Sequence, residues 1–234
     1  MKKFWDFKCA DSGARELRLE GPISDETWWG DEITPAVFRE ELHAGEGDIS
    51  VWINSPGGDV FAAAQIYTML KEYPGRVTVK IDGFAASAAS VIAMSGDMVL
   101  MSPVSYMVIH NPATIAIGDS AEMLRAKAML DEIKEGIINA YALKTKLPRD
   151  RISRLMDEES CFNARSAVEL GFADGILYAD GQVENQGALI IFSRMAVTNS
   201  LLSKMPASSP VPGRRINIQQ RDSIISLQIG KENI

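Results

Sequence analysis

Four short segments carry the residue types that acyl-transfer chemistry needs: paired glycines, a serine, a histidine and a pair of carboxylates, in that order. The first is residues 54–59 (NSPGGD). Two glycines after a strand-forming run and before a helix-forming one permit conformations and close approach that side chains would block. A tight turn is one reading. The other is an anion site, because N–H groups at the start of the following helix point at negative charge. The second segment, residues 83–90 (GFAASAAS), puts Ser87 where a strand gives way to a helix, between alanines too small to shield its hydroxyl. A helix start favours a developing anion. A plain structural serine is the alternative, and Ser90 can simply permit close helix packing.

The third segment, residues 106–112 (YMVIHNP), ends an apolar strand on His110. An imidazole that titrates near neutral pH suits a general base; a satisfied core histidine is the alternative. His43, in the polar HAGEGD stretch, reads as a solvated loop residue, which leaves His110 as the candidate. The fourth segment, residues 156–162 (MDEESCF), offers Asp157 and Glu159. A histidine base needs a carboxylate to fix its tautomer and stabilise the imidazolium. Two residues apart, the pair share a face on an extended chain and point about 200° apart on a helix. Spacing leaves both open, beside the plain reading of a solvated helix end.

A fold must bring these segments to one edge, and the pattern along the chain supplies a candidate. Strands are expected at residues 15–23, 48–54, 76–84, 97–101, 106–110 and 173–178. Helices are expected from Pro35 to Leu42, 60–71, 85–94, 119–147, 148–156 and from Asn163 to a closing Gly171. Asp119 and Glu122 have capping-box spacing. The strand–turn–helix alternation predicts an α/β fold with helix starts and strand ends converging.

Composition narrows the classes. With 234 residues, 46% of them hydrophobic, the chain can bury a substantial core. No apolar run approaches the roughly 18 residues a membrane span needs. The opening MKKFWDFK sets Trp5, Asp6 and Lys8 where a signal peptide has its apolar stretch, so a cytoplasmic location is expected. Two cysteines (Cys9 and Cys161) and two histidines are too few for a disulfide framework or a metal centre. A net charge of −7 argues against nucleic-acid binding by the body of the protein. Residues 185–234 hold six basic side chains against two acidic ones, a net +4, so the first 184 residues carry −11. Such asymmetry sets a basic tail apart, and its ASSPVPGRR stretch and weak periodicity predict flexibility.

Taken together, INSPGGD, GFAASAA, MVIHNP and the acidic stretch followed by NARSAVELGFAD resemble the motifs of the ClpP-type serine peptidases (peptidase family S14), in the same order and at similar spacing over residues 15–180. The resemblance implies a ClpP/crotonase-like spiral of strand–strand–helix repeats with a long protruding helix. An N-terminal extension (1–14) and a basic tail (181–234) would flank it. Ser87 would be the nucleophile, His110 the base, and the N–H groups of Gly58 and Ala88 the oxyanion hole. The family's triad aspartate falls on Glu159, with Asp157 as the substitute if the loop is shifted.

The implied activity is peptide-bond hydrolysis through an acyl-enzyme, without metal or cofactor, by a homo-oligomeric ring, single or stacked. KKFWDFK, GGDV and VELGFAD look most like the phage and prophage branch, which processes capsid or scaffold proteins during head maturation. The housekeeping branch forms stacked seven-membered rings fed by a ring ATPase. Its flexible axial N-terminal segment has no clear counterpart here, which leaves an ATPase partner open. Two rivals share parts of the pattern. Acyl-CoA enzymes of the crotonase type set paired amides on a thioester oxygen, and a non-catalytic assembly protein could keep the fold alone. The tail would tether the peptidase to an acidic partner or be trimmed by self-cleavage.

Overall fold

Leu17, Leu19, Val51, Ile53, Val79 and Ile81 alternate with polar or amphipathic neighbours, and all six are buried. Successive side chains on a strand face opposite ways, so this period of two puts one sheet face into the core. Each such side chain contributes about 1.5–3 kcal/mol by leaving water. The computed structural model describes residues 3–9, 15–23, 35–179 and 192–193, all within one unit spanning residues 1–198.

The chain runs β1 (Trp5–Cys9), β2 (Arg15–Glu20), α1 (Pro35–His43), β3 (Ile49–Ser55), α2 (Val60–Lys71), β4 (Val77–Ala86), α3 (Ala88–Ala93), β5 (Met98–Met101), β6 (Tyr106–Val108), α4 (Ser120–Thr145), α5 (Arg149–Asp157), β7 (Ser160–Asn163), α6 (Ala164–Glu169), β8 (Gly175–Ile176) and β9 (Phe192–Ser193). Among the described residues these strands form one sheet in the order β1-β2-β3-β4-β6-β7-β9, with β5 beside β4 and β8 beside β5. β2, β3, β4, β5 and β8 are mutually parallel along their contacts, as is β6 against β4. β1 and β7 join the edges antiparallel. The α/β expectation holds.

One strand decides where the chemistry sits. β4 pairs through Thr78–Ile81 with β5 and then, past Gly83, through Phe84–Ala86 with β6. The β3–β4 register slips between Ile53 and Ser55, so Ser55 lies beside Ala85. The C-terminal ends of β3, β4 and β6 therefore meet. Expected bounds shift accordingly: β4 continues through Ala86 and its helix starts only at Ala88, so residues 85–86 are strand.

Helix ends follow local chemistry. Arg15 closes α1 by donating to the carbonyls of Glu41, Leu42 and Gly45 at 2.8–3.0 Å. Asp59 caps α2 through the Ala62 N–H at 2.6 Å, and Asn163 caps α6 through that of Ser166 at 2.9 Å. Gly171, at φ +81, supplies the left-handed residue past α6. Asp119 caps α4 through the N–H groups of Ala121 and Glu122, but the box is only half formed, because the Glu122 carboxylate pairs with Arg125 instead.

α4 has 26 residues, about 39 Å at 1.5 Å per residue. Its first half is largely exposed and only Ile137, Ile138, Ala140 and Tyr141 near its end are buried, which fits the expected long projecting helix. No helix among the described residues is long and apolar enough to cross a membrane.

Three sequence expectations change. His43 is the last residue of α1, not a loop residue, although it is exposed as expected. The expected strand at residues 173–178 shrinks to Gly175–Ile176. Residues 5–9, assigned to an extension, are β1, and Phe4 and Trp5 are buried against Phe38 and its neighbours. The expected flexibility of the tail lies outside the described residues, apart from Phe192–Ser193 beside β7.

Candidate active site

Ser87 stands between the end of β4 and the start of α3 with φ 55 and ψ −127. A non-glycine residue at positive φ is strained and persists only where its surroundings hold it. Here the Ser87 N–H donates to the Val108 carbonyl at 2.9 Å, and its carbonyl accepts from the N–H groups of Ser90 (2.9 Å) and Val91 (3.4 Å). Ser87 occupies the N-cap position of α3, yet its side chain makes no capping bond. Among the described residues the hydroxyl has no hydrogen-bond partner. Flanking alanines and half-burial keep it reachable.

The SPGG turn presses against this serine. A Cβ on Gly57 would lie 2.5 Å from the Ala86 carbonyl oxygen, 2.7 Å from the Ser87 Cβ and 2.9 Å from the Ala88 nitrogen. Only glycine allows that approach. The buried Ser55 hydroxyl ties the turn by donating to the Gly21 carbonyl (2.7 Å) and accepting from the Gly57 N–H (3.1 Å). On the far side the Gly57 carbonyl accepts from Ile23 N–H at 2.9 Å, and Asp59 N–H returns a bond to the Ile23 carbonyl. A trans peptide sets its N–H opposite its carbonyl, so the Gly58 N–H points away from Ile23. The first N–H groups of a helix have no intrahelical acceptor, and Ala88 is the first residue of α3. Among the described residues, then, neither the Gly58 nor the Ala88 amide has a backbone acceptor, and both residues lie beside Ser87.

His110 follows β6. β6 and β7 pair antiparallel, Val108 with Cys161, and the Ile109 N–H donates to the Ser160 carbonyl at 3.0 Å, one step further. His110 and Glu159 both lie just past this pairing, at the same end of it, and neither is part of a strand. Glu159 itself turns at φ 48, with its N–H on the Met156 carbonyl.

Asp157, the other carboxylate, ends α5 and is already engaged: Lys134 Nζ at 2.6 Å and Asn111 Nδ2 at 2.9 Å both donate to its Oδ1. The bond from Lys134, followed by that from Asn111, holds its pKa below the ordinary value. Between the two acids the chain is neither helix nor strand, so neither geometry weighed from spacing applies.

A cavity of about 250 Å³ gathers the pieces. Gly58, Ser87, Ala88 and His110 all line it, with Met129, Ile133 and Tyr141 of α4 forming part of its apolar wall. Glu159 and Asp157 do not line it. Among the described residues no hydrogen bond joins Ser87 to His110 or His110 to Glu159 in this conformation; catalytic hydrogen bonds commonly tighten only once substrate is bound. Cys161, a potential rival nucleophile, is half-buried, and burial pushes its thiol pKa up, away from the reactive thiolate.

Sequence reasoning missed three contributors. Gly57 was half of an undifferentiated glycine pair, Ser55 looked like a turn residue, and Ser90 looked like a small packing residue. Ser90 in fact donates from its hydroxyl to the Ser87 carbonyl and contacts the Tyr141 hydroxyl. A polar residue one helical turn past the candidate nucleophile was the available signal.

Comparison with known proteins bears on the same segments. The Clp protease family model matches residues 13–180. A relative named ATP-dependent Clp protease proteolytic subunit, from Pleurastrum terricola, is 33% identical over 162 residues, covering 68% of this chain and 82% of its own. One named ATP-dependent Clp protease proteolytic subunit 1, from Chlamydia caviae, is 29% identical over 171 residues, 71% of this chain and 88% of its own. The cavity lined by Gly58, Ser87, Ala88 and His110 lies within the matched residues. The chain belongs to the Clp protease family and is a serine-type endopeptidase.

Proposed function

We propose that Ser87 is the nucleophile, His110 its general base, Glu159 the carboxylate that orients the base, and the Gly58 and Ala88 amides the oxyanion hole. The observation that carries this is the shared cavity, lined by the strained serine, the imidazole and both amide-bearing residues. His110 takes the Ser87 proton as the hydroxyl oxygen bonds to the peptide carbonyl carbon. The carbonyl oxygen becomes an anion between the two N–H groups. His110 then returns the proton to the leaving amine as the C–N bond breaks, and water hydrolyses the resulting ester by the same route. A fluorophosphonate probe tests the assignment: it should label the full-length protein once per chain, at Ser87, and not the Ser87→Ala variant. Label persisting on another serine removes the proposal.

The choice of Glu159 rests on its place just past the end of the β6–β7 pairing where His110 also lies, on the position the family resemblance gives it, and on the prior engagement of Asp157. Glu159→Gln should lower kcat by a factor of about 10³–10⁴, within the range for a triad carboxylate. Asp157→Asn should leave kcat within about 3-fold and alter only acid stability. A carboxylate whose folded pKa is depressed stabilises the fold above its unfolded value, about 3.9, and loses that contribution as pH falls through the lower folded value. Steady-state rates at pH 7 and unfolding midpoints at pH 3 and pH 7 separate the two; the reverse pattern gives the role to Asp157.

For the substrate, the proposal is a capsid or scaffold protein of phage or prophage origin, cleaved in the cytoplasm by a homo-oligomeric ring. The likeness of KKFWDFK, GGDV and VELGFAD to the phage and prophage branch supports it. The matched relatives' names favour a second reading, in which an ATP-driven partner feeds the peptidase. Cleavage of a folded capsid precursor without nucleotide supports the first; degradation only with a ring ATPase and ATP supports the second.

A further inference from the structure

We infer that Ser90 and Tyr141 are positioning residues that lock the Ser87–Ala88 peptide plane, and with it the Ala88 N–H, in the orientation an oxyanion needs. The inference rests on the catalytic assignment above and adds to it a part of the chain with no place in that mechanism.

Three donors converge on one carbonyl oxygen. The Ser87 carbonyl accepts from Ser90 Oγ at 2.6 Å, from the Ser90 N–H at 2.9 Å and from the Val91 N–H at 3.4 Å. Ser90 has a single hydroxyl proton, and that proton is committed to Ser87. In the 2.8 Å contact between Ser90 Oγ and the Tyr141 hydroxyl, the phenol must therefore be the donor. Both side chains are buried, Ser90 at 0% and Tyr141 at 1% exposure. Burial raises the Tyr141 pKa well above its ordinary value, so the phenol keeps the proton it donates. Phe172, edge-on at 5.5 Å, holds the ring.

The peptide unit transmits this arrangement. Ser87 C=O and Ala88 N–H belong to one planar trans peptide and point in opposite directions. Fixing the carbonyl fixes the amide. Ser87 sits at φ 55, where the backbone gains by relaxing unless its neighbours forbid it, and a rotation of this peptide would carry the Ala88 N–H out of the cavity. The hydrogen bonds also run head to tail, from Tyr141 O–H through Ser90 O–H and the carbonyl to the Ala88 N–H. Such a chain polarises its last donor. That donor is the one that would meet the negative oxygen.

The test uses Ser90→Ala, Tyr141→Phe and the double variant in the full-length protein. Each single change should lower kcat about 10-fold, a fraction of the 10²–10³ for outright loss of an oxyanion donor, with KM within about 2-fold. The double variant should stay within about 30-fold of wild type, less than the product of the single losses. Affinity for a peptide aldehyde, whose adduct oxygen enters the hole, should fall in step with kcat, while affinity for product peptide stays unchanged. Ser90→Ala strands the buried phenol and lowers the melting midpoint, whereas removing both partners together restores much of it. Activity that returns with the midpoint in the double variant would mean a merely structural pair and overturns the inference, as does unchanged kcat in all three variants. Fluorophosphonate labelling of wild type at Ser87 is checked first. Its failure defeats the catalytic assignment and this inference with it, whereas normal labelling with unchanged kcat defeats the inference alone.

Discussion

Ser87→Ala is expected to lower kcat for a fluorogenic peptide by about 10⁶-fold, His110→Ala by a comparable factor, and the double variant by no more than either alone. The reason is that the two side chains perform one event. A serine hydroxyl at its ordinary pKa is a poor nucleophile, and an imidazole without a hydroxyl to deprotonate has nothing to activate. Removing the second group after the first therefore removes nothing further. If the Gly58 and Ala88 amides form the oxyanion hole as proposed, they still polarise the carbonyl in every variant, so a residual acceleration over water of about 10³ should survive. Ser87 is half-buried at a helix start and its hydroxyl makes no capping bond, so the alanine variant should fold normally, as circular dichroism would verify. If the two losses multiplied in the double variant, the residues would act in separate steps, and the shared-cavity account would be wrong.

Gly57→Ala is expected to be nearly as damaging, though Gly57 contributes no reactive group. Its added methyl would meet the Ala86 carbonyl, the Ser87 Cβ and the Ala88 nitrogen at 2.5–2.9 Å. Two of those three atoms are backbone, which cannot swing aside. Gly57 also sits at φ +89, where an L residue adds strain of about 1–3 kcal/mol. Relief requires the SPGG turn and the β4–α3 junction to separate, and that movement pulls the Gly58 and Ala88 amides apart. The expected loss is about 10³-fold in kcat with a destabilisation of about 2–4 kcal/mol. Gly47→Ala is the control. Gly47 has φ +90, but a Cβ there meets nothing within 4 Å, so it should cost the backbone strain alone and leave kcat unchanged. Equal effects of the two substitutions on kcat would show that crowding at Ser87 does not matter.

Much of this architecture could be read from local chemistry. α2 falls on the expected 60–71, because an aspartate cap and periodic apolar residues mark both ends. α5 and α6 follow Pro148 and Asn163 as their turn chemistry requires. Misplacements arose where tertiary pairing overrides local pattern. Alanines 85 and 86 favour helix by composition, yet they complete β4 because β6 offers them a ladder. Residues 160–163, for which no strand was expected, became β7 for the same reason, opposite β6.

The site divides along similar lines. Ser87 and His110 stood out from the residues around them, whereas Gly58 and Ala88 came only with the family resemblance. Weighing Asp157 against Glu159 drew on the engagement of Asp157 by Lys134, a long-range fact. Gly57's contact with Ser87 and the Tyr141–Ser90 bond join positions 30 and 51 residues apart, and no local pattern announces either.

A peptidyl chloromethyl ketone probes the juxtaposition of residues 87 and 110 in one reaction. Its ketone adds the serine hydroxyl, and the neighbouring imidazole then displaces chloride, so alkylation of histidine reports that both groups reach one ligand. Peptide mapping of the inactivated full-length protein should find the modification on His110, at one per chain, and none there in Ser87→Ala under the same conditions. Modification of His43 or Cys161 with His110 untouched, or equal alkylation of His110 in the absence of the serine, would contradict the account.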